Sequence, residues 1–440
     1  MKRILFIAVL LIPATVFSQG FMDRLKKKVT NKAEQKAGEK VEKTIDKGVD
    51  KAEQAGKSGN KPADQPAPGA TNTAAVPEAA PAPATTAPAT PALKSNTRFD
   101  FIPGEQIVYT ENFDQEAIGE LPTNWNTTGT GEVVTLNNFP GKWLQVHQRS
   151  FYLTSNQAEF GENYTVEFDL IMNVKYNGHF FPYIEFGFLS TNKEPAASND
   201  YLRNYRKYAS LEAIFYPSEG ERSTMGIHTY QANKNYYTGD QQTVPALSKF
   251  FGKPIHIAMQ VQKERLRIWA DQEKIFDAPK AMPAGVIMNQ LMFQIHSSSY
   301  KEDQYGYFLT NLKVAKGVPD MRHKLVEEGK FSTTGILFDV NSDVIRPESF
   351  GVLKSIATVL KENGDLKVKI IGHTDSDGDD QKNLQLSQKR AAAVARALQE
   401  SFSIEAGRLQ TDGKGETAPA GDNKTKEGKA LNRRVEFIKL

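Results

Sequence analysis

The chain has no cysteine, and only 3 tryptophans and 7 histidines among its 440 residues. Without cysteine there is no disulfide bond, no thiol catalysis and no lipid-modified cysteine behind a leader. Beyond the N-terminal apolar run, no stretch reaches the roughly 18 apolar residues of a membrane span, so we expect no transmembrane segment in the mature chain. The formal net charge of +3 is too small to indicate binding to a polyanion, so nucleic acid is not an expected partner.

The N-terminus predicts export from the cytoplasm. Lys2 and Arg3 precede a short apolar run at 4–16, and small or tolerated residues follow as far as Ser18. This order is typical of a signal peptide, here residues 1–18 with cleavage before Gln19. The apolar run is too short to serve as a lasting membrane anchor.

Two low-complexity segments follow the leader. Residues 19–57 are rich in Lys, Glu, Asp and Ala, with apolar residues every four positions from Leu25 to Val49, which predicts a charged amphipathic helical arm. Either this arm docks on an anionic membrane or wall polymer through its basic start, or it is a solvated helix that only spaces the domains. Residues 58–97 are rich in Ala, Pro and Thr and predict a disordered linker.

Residues 98–316 change to aromatic and β-branched residues that alternate with polar ones, which is typical of strands. Helical periodicity is scarce, and turns rich in Gly, Pro, Asn and Lys separate the strand candidates. Many short strands at regular spacing predict an all-β sandwich. The candidates are 143–146, 164–172, 183–189, 210–216, 225–230, 255–261, 266–270, 288–296 and 308–314.

Two stretches of this β-rich region carry a resemblance. One runs from Asn112-Phe113-Asp114 to Trp125, and the other pairs 254–261 with 265–271 and 274–276 as a hairpin. Both resemble parts of the concanavalin A-like jelly roll found in laminin G domains, lectins and glucanases. The resemblance implies a second binding module whose ligand is a glycan or a protein.

Glycosidases of that fold need two carboxylates at a set separation. Glu167-Phe168-Asp169 begins their common signature, but Ile171 and Met172 stand where the last Glu belongs. We therefore expect Glu167 and Asp169 to face solvent on a half-buried strand. Five tyrosines are candidates for glycan stacking or for plain loop packing: Tyr201, Tyr205, Tyr208, Tyr236 and Tyr237. His179, His228 and His256 have no metal-ligand spacing and are interpreted as structural.

The C-terminal part places one carboxylate near one guanidinium. Residues 367–371 alternate as a strand and 384–399 have helical periodicity, with a polar, glycine-containing loop between them. Asp375 therefore follows the end of a strand, and Arg390 lies in the second turn of the next helix. Such a pair suits a zwitterionic ligand, because the carboxylate takes an ammonium and the guanidinium takes a carboxylate.

The motifs around this pair resemble the C-terminal domain of the OmpA family, which is also found in Pal lipoproteins and MotB-type stators. The matching residues are Phe338-Asp339-x-Asn341-Ser342-x-x-Ile345, Gly372-His373-Thr374-Asp375-x-x-Gly378, Asn383-x-x-Leu386-Ser387-x-x-Arg390-Ala391, Gly413-x-Gly415-Glu416-x-x-Pro419, Asn423-x-Thr425-x-x-Gly428, and Asn432-Arg433-Arg434-Val435-Glu436. The resemblance implies that Asp375 and Arg390 grip the free end of diaminopimelate in a peptidoglycan stem peptide. It also implies that the pocket is lined by Thr374, Asn383, Leu386 and Arg433, with Phe338 and Asp339 at its edge.

We expect residues 331–440 to form an α+β domain of two helices packed on one mixed sheet, after a connector at 317–330. The elements are strand 335–338, helix 347–362, strand 367–371, helix 384–399, and strands 409–412 and 434–438. OmpA itself carries a membrane barrel before this domain. The sequence here shows no such series of barrel strands before the C-terminal domain, and in this it departs from OmpA.

Competing interpretations of the Asp375 region are weaker. Asp375 and Arg390 alone would be an ordinary surface ion pair, which contributes little. The acidic cluster 375–380 fails as an EF-hand loop, because His373 and Leu384 occupy its first and last ligand positions. A lone His373 indicates packing or hydrogen bonding, so we expect neither a metal nor a cofactor.

The combined prediction is a non-catalytic protein of a Gram-negative envelope, located in the periplasm in association with the outer membrane and cell wall. Its C-terminal domain would anchor it to peptidoglycan, and the sandwich would present a second binding surface. The alternative is a glycan- or wall-processing hydrolase with a catalytic sandwich and the C-terminal domain as its targeting module. A third possibility is a structural spacer whose sandwich binds only a partner protein.

Overall fold

The computed structural model describes residues 99–154, 156–191 and 198–440. The predicted signal peptide, helical arm and linker lie outside the described residues. What is described belongs to one unit, Ala92–Leu440, in which a β-rich region is followed by a smaller α+β region.

The β-rich region is built from short extended segments joined by turns. In chain order its strands are β1 Gln106–Glu111, β2 Trp125–Thr127, β3 Gly131–Leu136, β4 Phe139–Val146, β5 Ser150–Thr154, β6 Asn163–Val174, β7 Ile184–Ser190, β8 Ala209–Tyr216, β9 Thr224–Gln231, β10 Lys234–Thr238, β11 Gln242–Thr243, β12 Pro254–Gln262, β13 Arg265–Ala270, β14 Glu273–Ala278, β15 Gln290–Ile295 and β16 Tyr305–Lys316. Helix α1, Asp200–Asn204, lies between β7 and β8. All nine strands predicted from the sequence are present, with ends shifted by a few residues.

The strands form two main antiparallel sheets. The larger sheet has the order β14-β13-β12-β6-β16-β4-β3, with β1 added along β16, and the smaller has the order β10-β9-β8-β7-β15, with β11 added along β9. Strands β2 and β5 pair separately. The predicted β-sandwich is therefore present.

The core lies between the two sheets because side chains alternate along each strand. On β6, Phe168 packs edge-on against Phe186 of β7 and Phe293 of β15, with ring centroids 5.2 Å and 5.4 Å apart. The opposite face of β6 carries Glu167 and Asp169. These two side chains therefore point away from the sandwich core.

The α+β region begins where the charged connector ends. Its elements are β17 Lys330–Thr333, α2 Phe350–Glu362, β18 Val368–His373, α3 Asp380–Phe402, β19 Leu409–Gly415, α4 Lys426–Asn432 and β20 Val435–Lys439. The sheet order is β17-β20-β18-β19, with β18 and β19 parallel and the other pairs antiparallel. The predicted mixed sheet is confirmed, and α2 and α3 supply most of its apolar cover.

Two local predictions for this region were wrong. The expected strand at 335–338 is a loop that touches its neighbour only through the bridge of Phe338 with Ile345, and the edge strand is β17 instead. Asn341 has a φ of 54°, so the chain turns sharply where a strand would continue. The short helix α4, capped by Thr425, was not predicted, so the region contains three α-helices rather than two.

The outer face of the larger sandwich sheet is covered by the α+β region. Lys426 of α4 contacts Glu111 at 2.7 Å and Glu116 at 2.9 Å. Arg346 contacts Asp169 at 3.3 Å. These ion pairs join residues that are 177 to 315 positions apart in the chain.

Candidate functional site

Asp375 lies in the loop that follows β18, and the residue is only 7% exposed. Its carboxylate accepts a short hydrogen bond from Arg433 Nη1 and a 3.2 Å bond from the Asp377 amide. Gly378, with a φ of 102°, lets the loop turn back into α3. Asp379 caps that helix by accepting a hydrogen bond from the Lys382 amide.

Arg390 projects from α3 towards the 338–345 loop. Its Nε donates to the Ser342 carbonyl at 2.9 Å, and its guanidinium stacks 4.8 Å from the centre of the Phe338 ring. Burial lowers the pKa of Arg390 from its ordinary value, and the neighbouring Asp375 carboxylate opposes that effect. The cation is thus held in a fixed orientation close to Asp375.

The amide of Asn383 ties together the backbone around Asp375. Its Nδ2 donates to the carbonyls of Asp375 and Asp377 at 3.3 Å and 3.1 Å, and to Glu416 Oε2 at 2.7 Å. The Thr374 hydroxyl is buried and has no hydrogen-bond partner among the described residues. It remains available to a bound ligand.

One cavity of about 420 Å³ brings the predicted site together. It is lined by all eight residues predicted from the sequence: Phe338, Asp339, Thr374, Asp375, Asn383, Leu386, Arg390 and Arg433. A volume of this size is typical of small-molecule sites. The cavity is therefore large enough for the end of a peptide side chain.

The other wall of the cavity comes from the sandwich, which the sequence did not indicate. It includes Glu167, Asp169, His256, Asn311 and Lys313. The prediction that Glu167 and Asp169 face solvent was wrong, since each is only 3% exposed. The reason is that the α+β region covers the outer face of their strand.

His256 and Asp169 form a buried pair in this wall. His256 Nδ1 lies 2.7 Å from Asp169 Oδ1, and Asn311 donates to the other oxygen at 2.8 Å. Burial alone would raise the pKa of Asp169, but the hydrogen bond and charge of His256, together with Arg346, hold it well below its ordinary range. Burial would lower the pKa of His256, but its contacts with Asp169 raise that pKa above the ordinary value. His256 therefore lines the cavity in addition to the structural role that the sequence indicated.

The five candidate tyrosines give little support to glycan stacking. Tyr201 and Tyr208 are buried in a small apolar cluster with Phe151 and Leu153. Tyr205 stacks on Phe151 at 4.7 Å. Of the five tyrosines, Tyr236 alone has a large exposed fraction, 42%.

Within the parts of the chain that the structure describes, no group of three His, Asp or Glu residues is arranged to hold a metal ion. His373 is 4% exposed, and its Nε2 lies 3.7 Å from Glu436 Oε2. In the same described ranges, no helix has the length and apolarity needed to cross a membrane.

Sequence reasoning missed the residues that support the Asp375 loop. Asn432 is fully buried, and its Oδ1 accepts from the Ala420 and Gly421 amides at 2.7 Å and 2.8 Å. Its Nδ2 donates to Asn423 Oδ1, which in turn accepts from the Ser376 amide. Asn423 and Asn432 lie in the matching motifs, but their spacing alone does not reveal this chain of contacts.

The sandwich has a weak similarity to a solved lectin domain. The carbohydrate recognition domain of Emp47p is 12% identical with a TM-score of 0.36, over 48% of this chain and 98% of that domain. These values are too low to assign a fold family. The concanavalin A-like identity of the sandwich stays a prediction.

The α+β region has clear relatives. The probable lipoprotein YiaD of Escherichia coli K12 is 44% identical over 102 residues, which cover 23% of this chain and 46% of that protein. The chain covers 29% of outer membrane porin F of Pseudomonas aeruginosa, at 39% identity. The solved cell wall anchor of the Pseudomonas aeruginosa T6SS is 33% identical with a TM-score of 0.23, over 25% of this chain and 80% of that one. The chain thus spans less than half of these two curated relatives. Its residues 337–433 match the model of the OmpA family, and this segment is an OmpA family domain.

Proposed function

We propose that this protein is a non-catalytic component of the cell envelope that holds peptidoglycan by gripping the diaminopimelate of a stem peptide. The observation that carries the proposal is the convergence of a carboxylate, Asp375, and a guanidinium, Arg390, on one cavity. The two groups match the ammonium and the carboxylate at the free end of diaminopimelate. The outer membrane location named for relatives such as porin F supports a place in the envelope.

In this proposal Asp375 receives the ligand ammonium. Arg433 pairs with the Asp375 carboxylate in the structure, and the Arg433 side chain is 43% exposed. Arg433 therefore has room to move aside or to share the carboxylate when the ammonium enters. Arg390 stays in place, because Ser342 and Phe338 orient it, and binds the ligand carboxylate in bidentate fashion. Thr374 offers its unpartnered hydroxyl.

The size of the cavity limits what enters it. About 420 Å³ accommodates one stem-peptide end and not a glycan strand. One such contact is weak, but a polymeric wall presents the same ligand many times, so avidity raises retention. The predicted signal peptide would export the chain to the periplasm, where this polymer lies.

The sandwich is proposed as a second binding module rather than a catalytic one. In the hydrolase alternative, one carboxylate of the Glu167-Phe168-Asp169 pattern donates a proton to the leaving group. Asp169 is a poor donor, because His256 and Arg346 hold its pKa well below the ordinary range. Lys313 contacts Glu167 at 2.9 Å. These contacts favour the binding role over the catalytic one.

The proposal is tested by pulldown of the full chain with purified diaminopimelate-containing sacculi. Wild type is compared with Asp375→Ala and Arg390→Ala. Matched controls are Asp365→Ala and Arg396→Ala, because both side chains are exposed and lie outside the cavity. We expect wild type and the controls to bind, and both site variants to lose at least about tenfold in retention, the equivalent of roughly 1.4 kcal/mol.

Two outcomes would overturn the proposal. Wild type could fail to bind sacculi, or the site variants could bind as well as the controls. Thermal unfolding of each variant confirms that a loss of retention is not a loss of fold.

A further inference from the structure

Two polar atoms in the sandwich wall of the cavity have no hydrogen-bond partner in the described ranges of the chain. Glu167 Oε1 and His256 Nε2 are buried without a hydrogen bond among the described residues, and both side chains line the cavity. Their residues are 3% and 4% exposed. Buried polar groups in native structures are almost always satisfied, so an orphan pair at a cavity points to a ligand or an ordered water.

The surrounding contacts fix the hydrogen-bonding role of each atom. His256 Nδ1 lies 2.7 Å from Asp169 Oδ1, and its contacts with Asp169 raise the pKa of His256, which favours the imidazolium form with a second proton on Nε2. In that form Nε2 is a donor, and the nearest Glu167 oxygen, Oε2, is too far for a hydrogen bond at 3.9 Å. Glu167 Oε2 is engaged by Lys313 at 2.9 Å, which leaves Oε1 as a free acceptor.

The wall thus offers one donor and one acceptor on neighbouring side chains. An amide group carries the complementary pair, an N–H and a C=O. Across the cavity, Asp375 and Arg390 face the same space. A ligand whose zwitterionic end lies at those two residues would place its adjoining segment against the sandwich.

We propose that the sandwich completes the peptidoglycan site, with Glu167 and His256 binding a backbone amide of the stem peptide that carries the diaminopimelate. This inference rests on the proposed function, because it assumes that the zwitterionic end lies at Asp375 and Arg390. It assigns to the sandwich a role in the same pocket instead of a separate site. The complete site then exists only while the two regions are docked.

The test compares three soluble ligands by isothermal titration calorimetry on the full chain. Free meso-diaminopimelate occupies only the part of the cavity around Asp375 and Arg390. The diaminopimelate-containing tetrapeptide adds backbone amides, and the disaccharide tetrapeptide also adds sugars. We expect wild type to bind the tetrapeptide about tenfold more tightly than free diaminopimelate, and the disaccharide to add less than about threefold.

Glu167→Gln is the informative variant because it preserves shape. A glutamine that keeps its oxygen on Lys313 turns an NH₂ donor towards the ligand, where the amide N–H needs an acceptor. We expect tetrapeptide affinity to fall about tenfold, and free diaminopimelate affinity to change less than twofold. Glu162→Gln is the matched control, since Glu162 is exposed just before the same strand and does not line the cavity.

The outcomes separate this inference from the proposed function. If wild type binds none of the ligands, the proposed function is wrong. If wild type binds free diaminopimelate with the same affinity as the tetrapeptide, the sandwich does not bind the amide. The same conclusion follows if Glu167→Gln leaves tetrapeptide affinity unchanged. In both cases the proposed function stands. A gain seen only with the disaccharide contradicts the amide assignment. Retained diaminopimelate binding shows that Glu167→Gln is folded.

Discussion

The side-chain amide of Asn432 helps to support the loop that carries Asp375. Its oxygen accepts from the amides of Ala420 and Gly421, and its nitrogen donates to the Gly421 carbonyl and to Asn423. Asn423 then accepts from the Ser376 amide, next to Asp375. Asn432 is therefore a positioning residue, which acts on a ligand only through its neighbours.

We predict that Asn432→Asp destabilises the protein by about 1–3 kcal/mol, because a carboxylate oxygen would face two acceptors where the amide nitrogen donated. Retention on sacculi should fall as the Asp375 loop loosens. Asn138→Asp is the control, since Asn138 is exposed in the turn between β3 and β4. Chemical denaturation and pulldown measure the two effects, and equal stability of the two variants would contradict the prediction.

The Asp169–His256 pair gives stability a specific pH dependence. The pKa of Asp169 lies below its ordinary value of 3.8, so its stabilisation is present above that value and is lost as the pH falls through it. The pKa of His256 lies above its ordinary 6.5, so its stabilisation is present below 6.5 and is lost as the pH rises through the raised pKa. The pair therefore stabilises most between about pH 4 and 6.5.

We predict that Asp169→Asn lowers the melting temperature most in that window, and less at pH 8.5 than at pH 5.5. Glu167 and Glu348 also face His256 and remain in the variant, so part of the histidine shift persists. Thermal melts of wild type and variant across pH 4 to 9 give the difference curve. A difference that does not change with pH would show that the pair is not electrostatically coupled to folding.

At the scale of elements, the spacing between β18 and α3 sets the distance between Asp375 and Arg390. Glycines allow this close approach: a Cβ on Gly372 would lie 2.2 Å from the Ser387 carbonyl oxygen, and one on Gly413 would lie 2.4 Å from the Ser387 hydroxyl. The helix therefore packs directly on the backbone of the strands. Any added methyl group must push α3 outward, and Arg390 with it.

We predict that Gly372→Ala costs about 1–3 kcal/mol of stability through this overpacking. It should also weaken diaminopimelate binding several-fold, because Arg390 moves relative to Asp375. Gly364→Ala is the matched control, since its Cβ would meet nothing within 4 Å. Calorimetric titration measures the ligand affinity, and thermal melts measure the stability. Normal ligand affinity in a folded Gly372→Ala protein would show that binding does not depend on the exact spacing between β18 and α3.

At the scale of the whole molecule, Lys426 fastens the OmpA family domain to the sandwich. Its ammonium contacts Glu111, which is 3% exposed, and Glu116. Removing one partner of a buried ion pair is costly, since the remaining charge stays buried and uncompensated. Arg346 and Asp169 form a second link across the same boundary.

We predict that Lys426→Met weakens this docking by about 1–3 kcal/mol, because Glu111 loses its partner while Lys426 itself is only partly buried. Differential scanning calorimetry should then resolve two unfolding transitions in place of one, and proteases should cut faster near residues 317–330. Lys424→Met is the control, because Lys424 is exposed and two positions away. A variant that still unfolds in one unshifted transition would show that Lys426 does not hold the two regions together.

The sequence by itself determined the parts of this protein that depend on local pattern. Alternation located nine strands, and the motifs around Gly372 and Arg390 identified eight residues that line one cavity. These features can be recognised in the sequence alone, because side-chain periodicity and motif spacing are properties of residues that are close together in the chain.

The tertiary structure decided what covers each face. Alternation places Glu167 and Asp169 on one side of β6, but it does not say whether water or another element lies there. Their burial, the pairing of Asp169 with Arg346 and the sandwich wall of the cavity all depend on contacts between residues that are 87 or more positions apart. A sequence pattern carries no record of such contacts, because they arise only when separately folded surfaces pack together.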